Sequence, residues 1–404
     1  MKNTLILFLF LVFFSNSYGQ GFQLLGTVDG AKDGTPVKLM DQDTYPYQTL
    51  DSTITKDGKF QFKGTLNQPE KYLAVMIDPN PEIKEERGKE YKMYDFFATN
   101  TNMSINCSLA DFPSMYGDPV SKYDNVQFSG SIAQEMYKFF KDMTSANAKK
   151  VDGLWKDYLN AYHRPAMYGI FNTEVGVELV KERAEEKRKL NEMTVRFLEK
   201  FNNSIVSVFI ANNLINSNRS EFTAQQLDHL VGLFKENANN KVWVEELRRT
   251  ADKQKVLAVG NAYHDIELTD SQKKAVKLSQ FVKKGQYTFL EFWASWCSPC
   301  RAEIPHLKHL YEFVPKDKMS FVSISMDDNG QNWEKAMNEE KMPWVQLNDP
   351  MGFKGQVREA YQITGIPFSL IIDPEGKIVA GALRGAALDA KLIDLLGEEA
   401  FKGM

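Results

Sequence analysis

The stretch that decides the fold is residues 292–300, which read FWASWCSPC. It places Cys297 and Cys300 directly after an apolar run that predicts a buried strand. Pro299 suits the first turn of a helix, because its missing N–H would have no partner there anyway. The residues that follow carry an apolar stripe at helical spacing. The sequence therefore predicts two cysteines at a strand-to-helix junction.

A cysteine pair in this position has redox chemistry. Two thiols in one helical turn are close enough to form a disulfide. Cys297, at the helix N-terminus, meets free backbone N–H groups and the positive end of the helix dipole, which favour an anion. Such positions lower a cysteine pKa from about 8.5 into the range of roughly 3.5–7.5. We therefore predict that Cys297 attacks a disulfide as a thiolate and that Cys300, deeper in the helix, resolves the mixed disulfide.

Strand and helix patterns alternate from about residue 262 onward. This alternation is typical of an α/β domain. The predicted strands are 287–293, 319–326, 368–372 and 377–382, and the predicted helices are 299–313, 333–340, 353–361 and 388–396.

The stretch 292–300 resembles the active-site segment of thioredoxin-fold proteins. The next five residues, RAEIP at 301–305, resemble the exported TlpA/ResA-type thiol–disulfide oxidoreductases. ITGIP at 363–367 resembles the cis-proline loop of that fold, and 327–333 with Trp344 resembles the helical insertion of the TlpA-type branch. The resemblance covers residues 262–398 and implies a thioredoxin-like enzyme with a redox-active Cys297–Cys300 disulfide. It implies neither a cofactor nor a metal.

The resemblance also implies a substrate-binding surface around the cysteines. Pro367 would be cis and face the disulfide, and the Ile366 backbone would pair with a bound substrate strand. Trp296 would flank the site, and Pro299 would lie on the same surface. Isoleucine before the cis-proline is the residue of reducing thioredoxins, so we expect a potential nearer about −270 mV than about −120 mV.

Two glutamates are implied as catalytic residues. Glu303 matches the acidic residue of the exported branch; one helical turn after Cys300, it would relay the proton of that thiol. Glu291 stands where thioredoxin has a buried aspartate, and a longer carboxylate there would serve the same proton transfer.

The first 19 residues predict a secretory signal peptide. Lys2 precedes a run of ten apolar residues, 5–14, and Ser17 and Gly19 satisfy the small-x-small rule for cleavage before Gln20. Ten apolar residues are too few to span a membrane core, which needs about 20. We therefore expect export to the periplasm. An exported reductase needs a thiol donor at the membrane, because the periplasm is oxidising.

Residues 20–118 read as a small β-domain, a sandwich or a barrel, and resemble the DUF4369 domain. Asp57-Gly58 between two alternating runs predicts a hairpin. Alternation around Cys107 places this third cysteine on the buried face of a strand.

Residues 119–258 have helical spacing and no chemical motif. A capping box begins at Thr223, and the mixed-charge run 181–189 is typical of a solvated helix face. With the thioredoxin-like domain at 259–404, we expect a multidomain α+β protein. The two upstream segments are candidates for partner recognition or homodimer formation.

Four other functions fit parts of the sequence. A zinc site would use Cys297 and Cys300 with His306 and His309, but such modules place a longer connection between the pairs. A peroxiredoxin-type peroxidase would need Thr or Ser where Ala294 stands. A disulfide oxidase or isomerase would use the same cysteines, and a non-catalytic binding protein would use the fold as a scaffold.

Net charge and cysteine count exclude two classes of protein. A net charge of −4 gives no basic footprint for nucleic acid. Three cysteines in 404 residues exclude a disulfide-rich scaffold. The resemblance to thiol–disulfide oxidoreductases implies protein disulfides as substrates.

Overall fold

The computed structural model describes residues 21–43, 46–83, 89–115 and 120–404. The chain divides into two compact units, Met1–Lys138 and Phe139–Met404. The predicted signal peptide, residues 1–19, lies outside the described residues. Across the described residues, every helix is too short or too polar to cross a membrane.

The first unit is a β-sandwich. The strands in its described residues are β1 (Phe22–Asp29), β2 (Pro36–Asp41), β3 (Gln48–Ile54), β4 (Lys59–Gly64), β5 (Glu70–Ile77), β6 (Lys92–Thr99), β7 (Asn102–Ser108) and β8 (Gln127–Ser129). One sheet has the order β4-β1-β7-β8 and the other the order β3-β2-β5-β6. Apolar side chains of both sheets, such as Leu24 and Leu73, pack into one core. The predicted β-domain is therefore confirmed, and β8 extends it beyond residue 118.

The Asp57-Gly58 turn forms and Lys56 and Lys59 pair across it as an antiparallel bridge, but the predicted hairpin does not continue beyond that bridge. Both residues have positive φ, 50° and 66°, and Lys56 and Lys59 exchange backbone hydrogen bonds of 2.9 and 3.0 Å. However, β3 pairs with β2, whereas β4 pairs with β1 in the other sheet. The turn is thus a corner between two sheets, because turn residues reverse the chain but do not choose the partner of each strand.

Cys107 lies on the predicted face of β7. Met103 and Ile105 on that face are buried, and Cys107 packs against the same core. It is a free, half-buried thiol near the end of the strand. The predicted face is therefore correct, and the burial is partial.

The middle of the chain is helical. The helices are α1 (Ile132–Tyr158), α2 (Arg164–Ala166), α3 (Thr173–Lys200), α4 (Ile205–Ser217), α5 (Ala224–Gly232) and α6 (Lys241–Lys255). A π-helical turn, Leu159–His163, joins α1 to α2. The capping box predicted at Thr223 is present, with Gln226 as its partner.

A mixed sheet follows the helices. Its strands are β9 (Glu267–Asp270), β10 (Ala275–Lys277), β11 (Tyr287–Trp293), β12 (Met319–Ser325), β13 (Val345–Asn348), β14 (Phe368–Ile372) and β15 (Ile378–Gly381), in the order β10-β9-β13-β12-β11-β14-β15. Its helices are α7 (Ser298–Phe313), α8 (Gly330–Glu340), α9 (Gln356–Tyr361) and α10 (Ala386–Leu396). The short strands β9, β10 and β13 were not predicted from the sequence.

The helical segment and the mixed sheet share the second unit. Helix α3 packs against α10. The Gly260 backbone N–H donates to the carbonyl of Ile378 at 2.8 Å. The Arg219 guanidinium lies 5.4 Å from the centre of the Phe368 ring, directly after Pro367. The helical segment therefore reaches the edge of the sheet that carries the cysteine pair.

Candidate active site

Cys297 and Cys300 lie where the central strand passes into a helix. β11 ends at Trp293, α7 begins at Ser298, and Cys297 is the N-cap residue of α7. Its Sγ accepts a hydrogen bond of 3.2 Å from the backbone N–H of Cys300. The two cysteines form a disulfide, with Cys297 4% exposed and Cys300 fully buried. The sulfur nearer the surface thus occupies the position where the helix end favours an anion.

A buried aspartate holds the loop that leads to Cys297. Asp327 accepts hydrogen bonds from the backbone N–H and the hydroxyl of Ser295, at 2.8 and 2.6 Å. The Ser325 hydroxyl donates to the same carboxylate at 2.7 Å. In the sequence, Asp327 begins the stretch that resembles the helical insertion of the TlpA-type branch, but no function was predicted for it. Its three bonds tie the loop before the cysteines to the end of β12.

The proline loop lies at the same edge of the sheet. The Ile366–Pro367 peptide bond is cis. Phe368 pairs with Phe292 across β14 and β11, so Pro367 precedes β14 where β11 is about to end. Trp296 is 58% exposed, and its ring centre lies 6.1 Å from that of Phe353. The predicted substrate-binding residues therefore gather around the helix that carries the cysteines.

Glu291 is buried in the middle of the sheet. Its carboxylate accepts one hydrogen bond, 2.5 Å from the Ser323 hydroxyl, which in turn accepts one from the Trp344 indole N–H at 2.8 Å. Burial raises the pKa of Glu291 to about 7; the bond from Ser323 opposes the shift and the charge of Glu303 adds to it. Glu291 can therefore gain and lose a proton near neutral pH.

Glu303 lies one turn along α7 from Cys300, in a different environment. It accepts hydrogen bonds from His306 Nδ1 at 3.1 Å and from the Gly385 backbone N–H at 2.8 Å. Burial alone would raise the pKa of Glu303, but these bonds, the charge of His306 and the charge of Arg384 together lower it. Glu303 is therefore held as a carboxylate.

His306 joins Glu303 to a second carboxylate. Its Nε2 lies 2.8 Å from Asp389 on α10, and Asp389 also accepts a bond of 3.0 Å from the Tyr162 hydroxyl. Burial would lower the pKa of His306, but Asp389 and Glu303 raise it to about 10. Both ring nitrogens therefore donate. We call this row of hydrogen-bonded side chains the Tyr162–Glu303 chain, after its two ends. The sequence did not predict it, because an isolated histidine does not indicate which distant residues it will contact.

The geometry does not suit the zinc alternative. His306 binds two carboxylates instead of facing the cysteines, and His309 stacks on Phe171 with ring centres 4.7 Å apart. No metal-binding group of three or more histidine, cysteine or acidic residues occurs in the part of the chain that the structure describes. The peroxidase alternative needs a hydroxyl at position 294, where the structure has a buried alanine.

Chemically, such a pair interconverts between dithiol and disulfide beside a group that can exchange a proton. The site thus places the protein among the thioredoxin-like thiol–disulfide oxidoreductases.

Comparison with known proteins narrows this class. The family model described as the AhpC/TSA family matches residues 259–380, and the domain of unknown function DUF4369 matches residues 22–137. ResA of Oceanobacillus iheyensis, a thiol–disulfide oxidoreductase, is 30% identical over 155 residues, which cover 37% of this chain and 78% of that protein. Sporulation thiol–disulfide oxidoreductase A of Bacillus subtilis is 32% identical over 95 residues, 24% of this chain and 58% of its own length.

Two solved structures of similar proteins come from Bacteroides species. The thioredoxin domain of a thiol–disulfide oxidoreductase from Bacteroides vulgatus is 34% identical, with a TM-score of 0.32, and the match covers 35% of this chain and 98% of that one. A thiol–disulfide oxidoreductase from Bacteroides fragilis is 29% identical, with a TM-score of 0.32, over 33% and 99% of the two chains.

The chain belongs to the ResA family of thiol–disulfide oxidoreductases. Membership confirms the thioredoxin-like domain and the enzyme class expected from residues 292–305 and 363–367. The DUF4369 match confirms the resemblance of the N-terminal β-domain.

Proposed function

We propose that this enzyme reduces disulfide bonds of other proteins outside the cytoplasm. The observation that carries the proposal is the Cys297–Cys300 disulfide at the start of α7, with the more exposed sulfur at the helix N-terminus. The similarity to two thiol–disulfide oxidoreductases supports thiol–disulfide exchange. The signal-peptide pattern of residues 1–19 supports export.

Reduction proceeds by two exchanges from the dithiol form. The Cys297 thiolate attacks one sulfur of the substrate disulfide, so a Cys297–substrate bond forms, the substrate S–S bond breaks and one substrate thiolate leaves. The Cys300 thiolate then attacks Cys297, which forms the Cys297–Cys300 bond and releases the second substrate thiolate. Two electrons pass from the enzyme to the substrate, whose two thiolates take up protons.

In this scheme Glu291 and Glu303 have different roles, one in proton transfer and the other as a fixed charge. Cys300 must lose its proton before it attacks, and Glu291, with a pKa of about 7, accepts a proton readily at neutral pH. Glu303 is the second candidate for this transfer; its carboxylate is already bonded to His306 and Gly385. We therefore place the proton acceptor at Glu291 and treat Glu303 as a fixed negative charge beside the pair.

Turnover needs an electron donor. After each cycle the enzyme is left as the disulfide, and a dithiol must reduce it again. Because the periplasm is oxidising, a thiol donor at the membrane is the expected source.

Cysteine substitutions test the proposal. Cys297→Ser should abolish the reduction of insulin disulfides, because the attacking sulfur is gone. Cys300→Ser should instead accumulate a mixed disulfide between Cys297 and the substrate, visible by mass spectrometry. Cys107→Ser is the matched control and should keep full activity, since Cys107 lies in the other unit. Wild-type protein without reductase activity would refute the proposed function.

A further inference from the structure

A large cavity opens beside the start of α7. Its volume is about 1420 Å³, and every residue of its lining belongs to the second unit. Helix α3 and the aromatic residues Trp155 and Tyr158 line one side, and Ser298 and Pro299 lie on the other. Pockets for small ligands are usually about 300–1,000 Å³. This cavity therefore exceeds a small-molecule site and reaches the residues directly after Cys297.

The charges of the lining do not balance. Each of its four glutamates hydrogen-bonds a basic side chain; Glu221, for example, binds Lys187 at 2.7 Å. By contrast, two lining arginines, Arg183 and Arg196, form no salt bridge within the described residues, whereas the charge of Arg384 acts on Glu303. Unmatched guanidinium groups attract carboxylates, which they bind through paired hydrogen bonds.

Arg183 shows the imbalance most clearly. Its guanidinium lies 4.9 Å from the centre of the Trp155 ring. Its Nε is buried and has no hydrogen-bond partner in the described residues. A buried donor without an acceptor costs free energy, so the Arg183 guanidinium keeps unused hydrogen-bonding capacity at the cavity wall.

We propose that this cavity binds an acidic, extended segment of the substrate polypeptide next to its disulfide. The inference rests on the proposed function and names the substrate class for that site. Along α3, Arg183 and Arg196 are separated by about 20 Å at 1.5 Å per residue. An extended chain of about six residues spans that distance. The lining thus offers two arginines along such a segment, the Trp155 ring beside Arg183, and the residues directly after Cys297 on the opposite side.

The position of the cavity gives the helical segment a function. The run 181–189, expected from the sequence to be a solvated helix face, contributes Arg183, Lys187 and Arg188 to the lining. The same unit carries the cysteines, so substrate held along α3 stays beside α7 while the disulfide reacts. Selection by charge then occurs before chemistry and acts on KM more than on kcat.

Matched peptides test the inference. We would measure kcat/KM of the reduced full-length protein for peptides that carry one disulfide flanked by glutamates, by glutamines or by lysines. Hydroxyethyl disulfide, small and uncharged, gives the intrinsic rate of each variant, by which the peptide values are divided. The wild type should reduce the glutamate peptide about tenfold faster than the glutamine peptide, and the lysine peptide slowest. The preference should fade at about 1 M salt, where charges are screened beyond about 3 Å.

Three double variants locate the effect. Arg183→Gln with Arg196→Gln should reduce the glutamate preference to about twofold or less, whereas Arg183→Lys with Arg196→Lys should keep most of it. Arg248→Gln with Arg249→Gln on α6, outside the cavity, removes the same charge and should keep the full preference. Thermal unfolding checks that each variant folds.

The outcomes separate the two proposals. Equal rates for the glutamate and glutamine peptides, with normal reduction of hydroxyethyl disulfide, would overturn the cavity inference and leave the proposed function standing. Loss of the preference in the α6 variant would also overturn it, because net charge would then be the cause. Failure to reduce any disulfide would refute the proposed function itself.

Discussion

Two glutamates near the cysteine pair differ in their surroundings: Glu291 on β11 defines what we call the sheet side of the site, and Glu303 on α7 the helix side. On the sheet side, Glu291 is buried with a single hydroxyl partner, and its pKa rises to about 7. On the helix side, Glu303 is only partly exposed, but a protonated histidine and a backbone N–H bind it, and its pKa falls. The two residues have the same side chain and lie near the same disulfide. Their environments raise the pKa of one and lower the pKa of the other.

The difference shows what each side of the site is built to do. A hydroxyl cannot offset the cost of burying a charge, so Glu291 is stable in its neutral form until about neutral pH. An imidazolium does offset that cost, so Glu303 is held as a carboxylate beside His306. The helix side also extends further, since Tyr162 of the helical segment donates to Asp389.

The largest expected effect comes from breaking the helix side. His306→Leu removes the cation and leaves the buried Asp389 and the partly buried Glu303 facing a leucine, so the free energy of unfolding should fall by about 3–5 kcal/mol. Urea unfolding at pH 7 measures the change. His309→Leu on the same helix is the control; it loses ring stacking on Phe171 and should cost less than about 1 kcal/mol. Similar losses in both variants would contradict a charge-paired cluster.

The difference between the two sides also marks what the sequence could predict. The junction at 297–300 is local: an apolar run, a proline and a helical stripe within about one strand and one helix define it. The Tyr162–Glu303 chain is not local, because His306 meets Asp389 83 residues later and Tyr162 meets the same carboxylate across 227 residues. Side-chain pairing at such separations depends on how α10 and the π-helical turn pack, which no local pattern encodes.

The first unit teaches the same lesson. Asp57 and Gly58 predicted the turn correctly, since positive φ is a property of these residue types. The partners of β3 and β4 depend on strands elsewhere in the chain, so the predicted hairpin stops at the Lys56–Lys59 bridge. The period of two around Cys107 predicted its face correctly, because the alternation of side chains along a strand does not depend on which strand pairs with it.

Breaking the sheet side should have the next largest effect, and it depends on pH. The pKa of Glu291 is raised from 4.5 to about 7 in the folded state, so the folded protein binds the extra proton between these values and loses stability as pH rises through them. At 1.36 kcal/mol per pKa unit, the loss is about 3 kcal/mol. Glu291→Gln cannot lose a proton, so its stability relative to the wild type should rise by that amount between pH 4.5 and pH 8.

Urea unfolding of both proteins across this pH range measures the difference. Glu375→Gln, in an exposed turn, is the control, and its stability relative to the wild type should stay constant. A pH-independent difference for Glu291→Gln would mean that Glu291 is already ionised well below pH 7. The sheet and helix sides would then not differ in the way described above.

The smallest expected effect tests how far the helix side reaches. Tyr162→Phe removes one hydrogen bond to the Asp389 carboxylate, which remains bound to His306, so the free energy of unfolding should fall by about 1.5 kcal/mol. Tyr168→Phe, an exposed tyrosine of the same segment, should change it by less than about 0.5 kcal/mol. The pH-dependent loss assigned to Glu291 should persist in Tyr162→Phe, because the hydroxyl belongs to the helix side alone. If Tyr162→Phe is as stable as the wild type, the hydroxyl of Tyr162 contributes nothing, and the stabilising cluster ends at Asp389 without the helical segment.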